Sequence, residues 1–327
     1  TEEDLIQLFY YKFTETPLLK RMDAVKDYFI DSWETLKGRN ISEDDQEMLQ
    51  MKFDKMYTTK DIYTIYNWML DDCGCDLLPE VPYEKRKLPY EDVFPMLYLK
   101  YRLSGGNSTH KNIKHLVIDE MQDYTYLQYT ILESLFHCRM TILGDRAQTL
   151  DTKQQDVLRF LPKLLGREIR TIEIKKSYRN TLEIARYAEK VSGVSDLELL
   201  DRHGKEVVEK TFNTDTELLD ELVCHLKCPG DFETAALITT TEEEAFDLSR
   251  LLKLRGINVS YVDRNSSAFK KGLTVTTFYL AKGLEFDQVF ALRGAKENPL
   301  KNQAEYICAT RALHELYVYE IADSLSK

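Results

Sequence analysis

The sequence has no apolar run approaching a membrane span. Its longest stretches, such as His115 to Ile118 and Val289 to Leu292, fall far short of the roughly 20 residues that a bilayer helix requires, so no membrane helix is expected. It also lacks internal repeats and low-complexity segments, and its composition excludes collagen-like, mucin-like and wholly disordered classes. Cysteine is scarce, 6 in 327 residues. Cys73, Cys75, Cys138, Cys224, Cys228 and Cys308 form no paired CxxC knuckles, and no histidine spacing completes a zinc-finger pattern. Reduced, mostly buried thiols in a cytoplasmic protein are the expectation. An excess of positive charge is missing too. The net charge is -11 and the pI about 5.2, the reverse of the balance that a broad phosphate-gripping face needs. Any binding of DNA or RNA then rests on a local basic groove. The start, Thr1-Glu2-Glu3-Asp4, is acidic and lacks an initiator Met. It does not read as a signal peptide, and a truncated beginning is expected.

What is present describes an ordinary globular protein, with 43% hydrophobic and 30% charged residues. Its 327 residues suggest two domains, each large enough to bury a core. Up to about Arg102 the periodicity is helical, as in Leu5, Leu8, Phe9 and Tyr11, or Ile62, Ile65, Tyr66 and Met69, and these stripes read as core packing. Pro79, Pro82, Pro89 and Gly105-Gly106-Asn107-Ser108 mark turns. After Asn112 short β-rich runs alternate with helical segments. Strands are expected at Leu116 to Ile118, Met140 to Leu143, Thr171 to Ile174, Val207 to Phe212 and Ala235 to Thr239. Others follow at Val259 to Val262, Leu273 to Thr277, Val289 to Leu292 and Leu316 to Tyr319, with helices through Leu135 and near Gln154 to Leu165. Such alternation implies an α/β fold with parallel sheets flanked by helices, whose ligands gather at the carboxyl ends of the strands. A domain boundary is placed at Gly166.

The residues after the strands are therefore the informative ones. His115-Leu116-Val117-Ile118 runs into Asp119, Glu120, Met121, Gln122 and Asp123. Adjacent carboxylates at the end of a buried strand need a cation or a proton, such as a magnesium ion carried by a nucleotide. The same run also suits a solvated helix N-terminus. The next strand delivers Gly144-Asp145-Arg146-Ala147-Gln148, bringing a second acid and an amide that could hold a water or sense a terminal phosphate. Further on come Lys175-Lys176-Ser177-Tyr178-Arg179, Lys282-Gly283-Leu284-Glu285-Phe286 and Ala309-Thr310-Arg311-Ala312. Each arginine taken singly reads as a surface ion pair.

Taken in series, VIDEMQD, ILGDRAQ, KKSYRN, AKGLEF and CATRA follow the order and approximate spacing of motifs II to VI of superfamily 1 helicases. The chain resembles the UvrD/Rep type from about Leu116 onward. That resemblance implies RecA-like sheets: a helical segment over 1–110 that is the end of an insertion and part of the first motor lobe, the C-terminal part of that lobe over 111–165, and a complete second lobe over 166–327. It implies Asp119 as a water-mediated magnesium ligand and Glu120 as the base that orients the attacking water. Gln148 becomes the link between phosphate state and partner state. Tyr178 stacks on adenine, Glu285 contacts the ribose, Gly283 belongs to the nucleotide-binding turn, and Arg179 and Arg311 reach the γ-phosphate. ATP and Mg2+ are the implied substrate and cofactor.

The sequence departs from the family in two places. No G-x-x-x-x-G-K-[ST] occurs, so the lysine and amides that grip the β- and γ-phosphates are absent. The chain is expected to be the C-terminal part of a longer motor, without appreciable ATPase by itself. Gln148 is followed by Thr149, Leu150, Asp151 and Thr152 rather than by base-stacking aromatics, and Tyr279 stands where a histidine is common. With YLAKGLEFD, LPYEDVFPMLYLKYRL and ATRALHELYV, the chain is most similar to the HelD branch. This implies an ATP-driven motor that frees RNA polymerase from nucleic acid, with residues 1–56 expected to touch the polymerase. A single-strand DNA translocase or helicase, and a non-catalytic interaction module, are the alternatives.

Overall fold

A computed structural model describes residues 1–105, 112–150, 156–166, 169–193, 198–227, 232–266, 271–294 and 299–322. The turn expected at Gly106-Asn107-Ser108, Asp151 and Thr152 after Gln148, the helix start at Gln154, and Cys228 lie outside the described residues. The chain divides into two compact units. One comprises Thr1–Ile118, Tyr124–Ile142 and Arg159–Arg167, the other Asp119–Asp123, Leu143–Leu158 and Glu168–Lys327.

The first unit is mainly helical: α1 (Glu2–Gln7), α2 (Leu18–Lys37), α3 (Glu43–Asp54), α4 (Ile62–Asp72), α5 (Tyr90–Ser104), α6 (Tyr126–Leu135) and most of α7 (Val157–Leu165). Local sequence sets the ends. Ser42, Asp61 and Thr125 accept hydrogen bonds from backbone amides at the starts of α3, α4 and α6, and Gly38 closes α2 in the left-handed region at φ 63°. Pro89 precedes α5, where its missing N–H costs nothing. The stripes largely read as core: Phe9, Val25 and Phe53 form one cluster, and Tyr63, Tyr66, Leu70, Leu78 and Met96 another. Tyr11 and Met69 are corrections, since both are exposed. Helix α4 turns its Tyr63–Tyr66–Leu70 face inward, leaving Met69 at the margin of that face. β1 (His115–Ile118) and β2 (Arg139–Ile142) pair in parallel.

In the second unit a six-stranded, all-parallel sheet has the order β5-β10-β9-β6-β8-β7. Its strands are β5 (Val208–Phe212), β6 (Thr234–Thr239), β7 (Ser260–Tyr261), β8 (Gly272–Thr277), β9 (Phe286–Arg293) and β10 (Ala312–Ile321). Alternation along the strands sorts side chains to two faces. Ala236, Ile238, Val289, Ala291, Leu316 and Val318 pack with α8 (Leu182–Ser192) and α11 (Lys301–Arg311). Leu237, Val275, Phe290, Tyr317 and Tyr319 pack with α9 (Asp215–Lys227) and α10 (Glu242–Leu254). Parallel strands need both faces covered, which is why these read as near-continuous apolar runs. The α/β class read from the sequence, with parallel sheets and flanking helices, is the one observed.

Three expectations are corrected. Thr171 to Ile174 forms no strand; a short pair, β3 (Lys176–Ser177) with β4 (Glu198–Leu199), lies nearby instead. β1 is not a buried strand, as only Ile118 of its four residues is buried. The cysteines, all free among the described residues, are not mostly buried: Cys138 and Cys308 are, whereas Cys73, Cys75 and Cys224 are exposed. Cys224 lies off the apolar stripe of α9, whose buried residues are Leu218, Leu219, Leu222 and Val223.

Candidate functional site

The acidic run after β1 does not continue as a strand. Met121 N donates to Leu143 O at 2.8 Å, folding Asp119–Asp123 against the segment that leaves β2. Gly144 permits this approach: a Cβ there would overlap Gln122 Oε1 and the Met121 side chain and stand 2.7 Å from Met121 N. The turn places Glu120 at φ 53°, the one non-glycine residue with positive φ among those described. An L residue adopts that backbone at a cost of about 1–3 kcal/mol, and surrounding contacts must hold it there.

Two contacts do so. Gln122 Nε2 donates to Glu120 Oε2 at 2.6 Å, and Lys282 Nζ lies 3.3 Å from the same oxygen. Lys282 also pairs with Asp123, and its side chain is only 7% exposed. The cation that the adjacent carboxylates required is thus supplied by the loop between β8 and β9. Gly283 follows at φ 81°, the left-handed geometry that lets this loop turn directly after the lysine.

Gln122 links the acids to the second loop, its Oε1 accepting from Asp145 N at 3.1 Å. Asp145 Oδ2 accepts from Gln148 Nε2 and from Tyr306 OH, both at 2.9 Å. Gln148, 7% exposed, in turn accepts through Oε1 from Arg311 Nη2 at 3.2 Å. Arg311, the last residue of α11, is only 2% exposed. Its Nη1 donates to Leu284 O at 3.3 Å, while its buried Nε has no hydrogen-bond partner among the described residues. A surface ion pair is therefore the wrong description of Arg311. Burial, and then the charge of Arg179, hold its guanidinium below the usual arginine range, with Glu120 and Glu285 acting in the opposite sense. Burial and then Asp145 push the Tyr306 phenol upward.

Arg179 pairs with Glu285 at 2.6 Å. Tyr178 is exposed, with Lys176 Nζ 5.8 Å from its ring centroid. Asp119 is exposed, and its Oδ1 accepts the Glu120 N–H at 2.8 Å. Among the described residues no group of three or more His, Cys, Asp or Glu side chains could cage a metal. A lone exposed carboxylate suits a magnesium ion held chiefly by phosphate oxygens and water.

All of the residues singled out in the sequence lie in the second unit. Glu120, Gln148, Arg179, Glu285 and Arg311 share one electrostatic neighbourhood, to which Asp119 is joined through Glu120 and Gly283 through its loop. Tyr178 stands at its exposed margin, next in sequence to Arg179. Sequence reasoning gave no role to Lys282, Gln122, Tyr306 or Asn180. Lys282 and Gln122 stood inside quoted motifs, but their partners are distant in sequence; Tyr306 reads as an ordinary core aromatic.

No protein-family model matches the chain, and no curated protein sequence matches it. Among solved structures it is similar to the C-terminal domain of a possible DNA helicase from Lactobacillus plantarum WCFS1. That match has 25% identity and a TM-score of 0.36, covering 44% of this chain and 88% of that one. It is also similar to the PRRSV helicase, with 16% identity and a TM-score of 0.38 over 80% of this chain and 46% of the other. The chain thus spans about half the length of the PRRSV helicase. At these TM-scores the likeness carries no functional weight.

Proposed function

We propose that this chain carries one side of the ATP site of a superfamily 1 helicase-like motor, with RecA-like lobes divided as in the sequence reading. The observation that supports this best is the continuous path Glu120–Gln122–Asp145–Gln148–Arg311, which joins a strained carboxylate to a buried guanidinium with an unpartnered Nε. Phosphoryl transfer depends mainly on charge placement, and an arginine at the transferring phosphate contributes on the order of 10³-fold or more. In this reading Arg179 and Arg311 meet the γ-phosphate, Glu120 orients the attacking water, and Gln148 relays the phosphate state. Tyr178 stacks on the base and Glu285 binds the ribose. A bound magnesium ion, with Asp119 as its water-mediated ligand, would neutralise phosphate charge.

The sequence contains no phosphate-gripping loop, so binding without appreciable turnover is expected of these 327 residues. Calorimetric titration with MgATP tests the reading. Arg311→Ala should weaken binding at least about tenfold, the scale of a lost charge-assisted bond; equal affinity in wild type and variant overturns it. ATP turnover abolished by Glu120→Gln would overturn the expectation of inactivity.

The finer reading is HelD-like, with RNA polymerase as the partner to be released from nucleic acid. Thr149 and Leu150 in place of stacking aromatics, and the net charge of -11, favour a protein partner over a DNA track. Pull-down with core polymerase, alongside single-strand DNA binding across a salt series, separates the two. Steep salt-dependent DNA affinity without polymerase capture favours a translocase or helicase.

A further inference from the structure

Asn180 follows Arg179 directly and is buried, 7% exposed. Its Nδ2 donates to Ala309 O at 3.2 Å and to Ala312 O at 2.6 Å, the carbonyls that flank Arg311 at the end of α11. Both amide hydrogens are therefore committed to one turn. Arg202 makes a second connection: Nη1 donates to Arg179 O at 3.3 Å and Nη2 to Leu313 O at 3.0 Å. Its own backbone is fixed, since Leu182 N donates to Arg202 O at 2.8 Å. Two side chains thus join the Arg179–Asn180 step to the Ala309–Leu313 turn.

Capping orphan carbonyls at a helix end would explain one of these bonds. It does not explain why both connections run from the Arg179–Asn180 step to the turn that carries the second arginine. Two guanidiniums in one neighbourhood repel, and left free they would separate. Held, they confront an anion together, and the ordering cost falls on folding rather than on binding.

We infer that Asn180, backed by Arg202, is a positioning residue that holds Arg179 and Arg311 at one fixed separation, so that a polyphosphate meets them as a single dicationic clamp. This rests on the reading that the pair meets the terminal phosphate of ATP.

The test has two arms. In the first, MgATP affinity is measured by calorimetry for Arg179→Ala, Arg311→Ala and the double variant, in the Asn180 and Asn180→Ala backgrounds, with melting temperature in parallel. With Asn180 present the two arginine substitutions should be non-additive by about tenfold, and in Asn180→Ala by less than about twofold. A purely capping role lowers the melting temperature and leaves the non-additivity unchanged, which overturns the inference. In the second arm, hydrogen exchange is followed on Asn180→Ala, or on Arg202→Ala should the first not fold. Segments 176–181 and 309–314 should lose protection together while β6 keeps its own. Loss confined to one segment, or spread evenly through the sheet, overturns the inference. If the wild-type chain binds no ATP, the functional reading fails and the exchange arm alone decides the connection.

Discussion

The six-stranded sheet and the β1–β2 pair use the same parallel hydrogen bonding and differ in what covers them. In β6, β8, β9 and β10 runs of consecutive residues are buried, and helices contribute to the apolar clusters on both faces. In β1 only Ile118 is buried, while Val117 is 61% exposed. The large sheet is a store of stability, and the small pair carries loops. The candidate site lies where the loops are: after β1, after β2 and between β8 and β9. Their conformation is set by polar pairing rather than by burial.

The largest test of this contrast is a matched pair of truncations. Phe290 is fully buried, stacked on Tyr317 with centroids 4.7 Å apart and planes at 10°. Phe290→Ala should lower unfolding free energy by about 3–5 kcal/mol, through lost transfer and a residual cavity. Val117→Ala should stay within about 0.5 kcal/mol. Urea unfolding of both reads the difference, and equal costs would break the contrast.

A smaller effect is expected at Lys282. Removing its buried ammonium leaves the Glu120 and Asp123 carboxylates facing each other unneutralised. Lys282→Met should cost about 1–3 kcal/mol in the same assay, and adding Asp123→Asn should return part of that loss. A loss that Asp123→Asn deepens instead would mean that the stem of Lys282 matters through packing and its charge does not.

These outcomes bear on what the sequence could disclose. Strands β6, β9 and β10 were legible because Val289 to Leu292 and its neighbours need both faces covered, and that need is written as unbroken apolar runs. Thr171 to Ile174 reads Thr-Ile-Glu-Ile, three β-branched residues around one acid, yet Ile172 and Ile174 are 70% and 78% exposed. β-branched residues favour extended backbone, but a strand also needs a neighbour, and pairing is long-range. At the site the acids, the amide and the arginines were legible as motifs. Their partners were not: Lys282 with Asp123, Tyr306 with Asp145 and Asn180 with Ala309 are choices made by the fold between residues far apart in sequence. The surface ion pair expected of Arg311 taken singly failed because an isolated sequence position carries no information on burial.

The smallest effect concerns the segment that carries Arg202. His203 Nδ1 lies 2.8 Å from Glu183 Oε1 and its Nε2 3.0 Å from Asp201 Oδ1, so both ring nitrogens donate only when the ring is protonated. Glu183 Oε2 also accepts from Gly204 N at 2.8 Å, tying the segment to the first turn of α8. The bond from His203, ahead of the backbone amides, draws the Glu183 carboxyl down from 4.5 to about 2. Glu183, ahead of Asp201, raises the His203 imidazole above 6.5. The glutamate's contribution is complete above 4.5 and fades as pH falls toward 2. The histidine's is complete below 6.5 and fades as pH rises through its raised value. Both are therefore complete together only between 4.5 and 6.5. The His203 ring is two-thirds exposed, so solvent screening keeps the effect local and modest. Protection of the Gly204 amide, its exchange referred to the unfolded-chain rate at the same pH, should be greatest inside that window and fall on its alkaline side, and His203→Ala should remove that alkaline limb while leaving the protection of β6 untouched. An alkaline limb that survives the substitution would assign it to another group and detach this segment from histidine control.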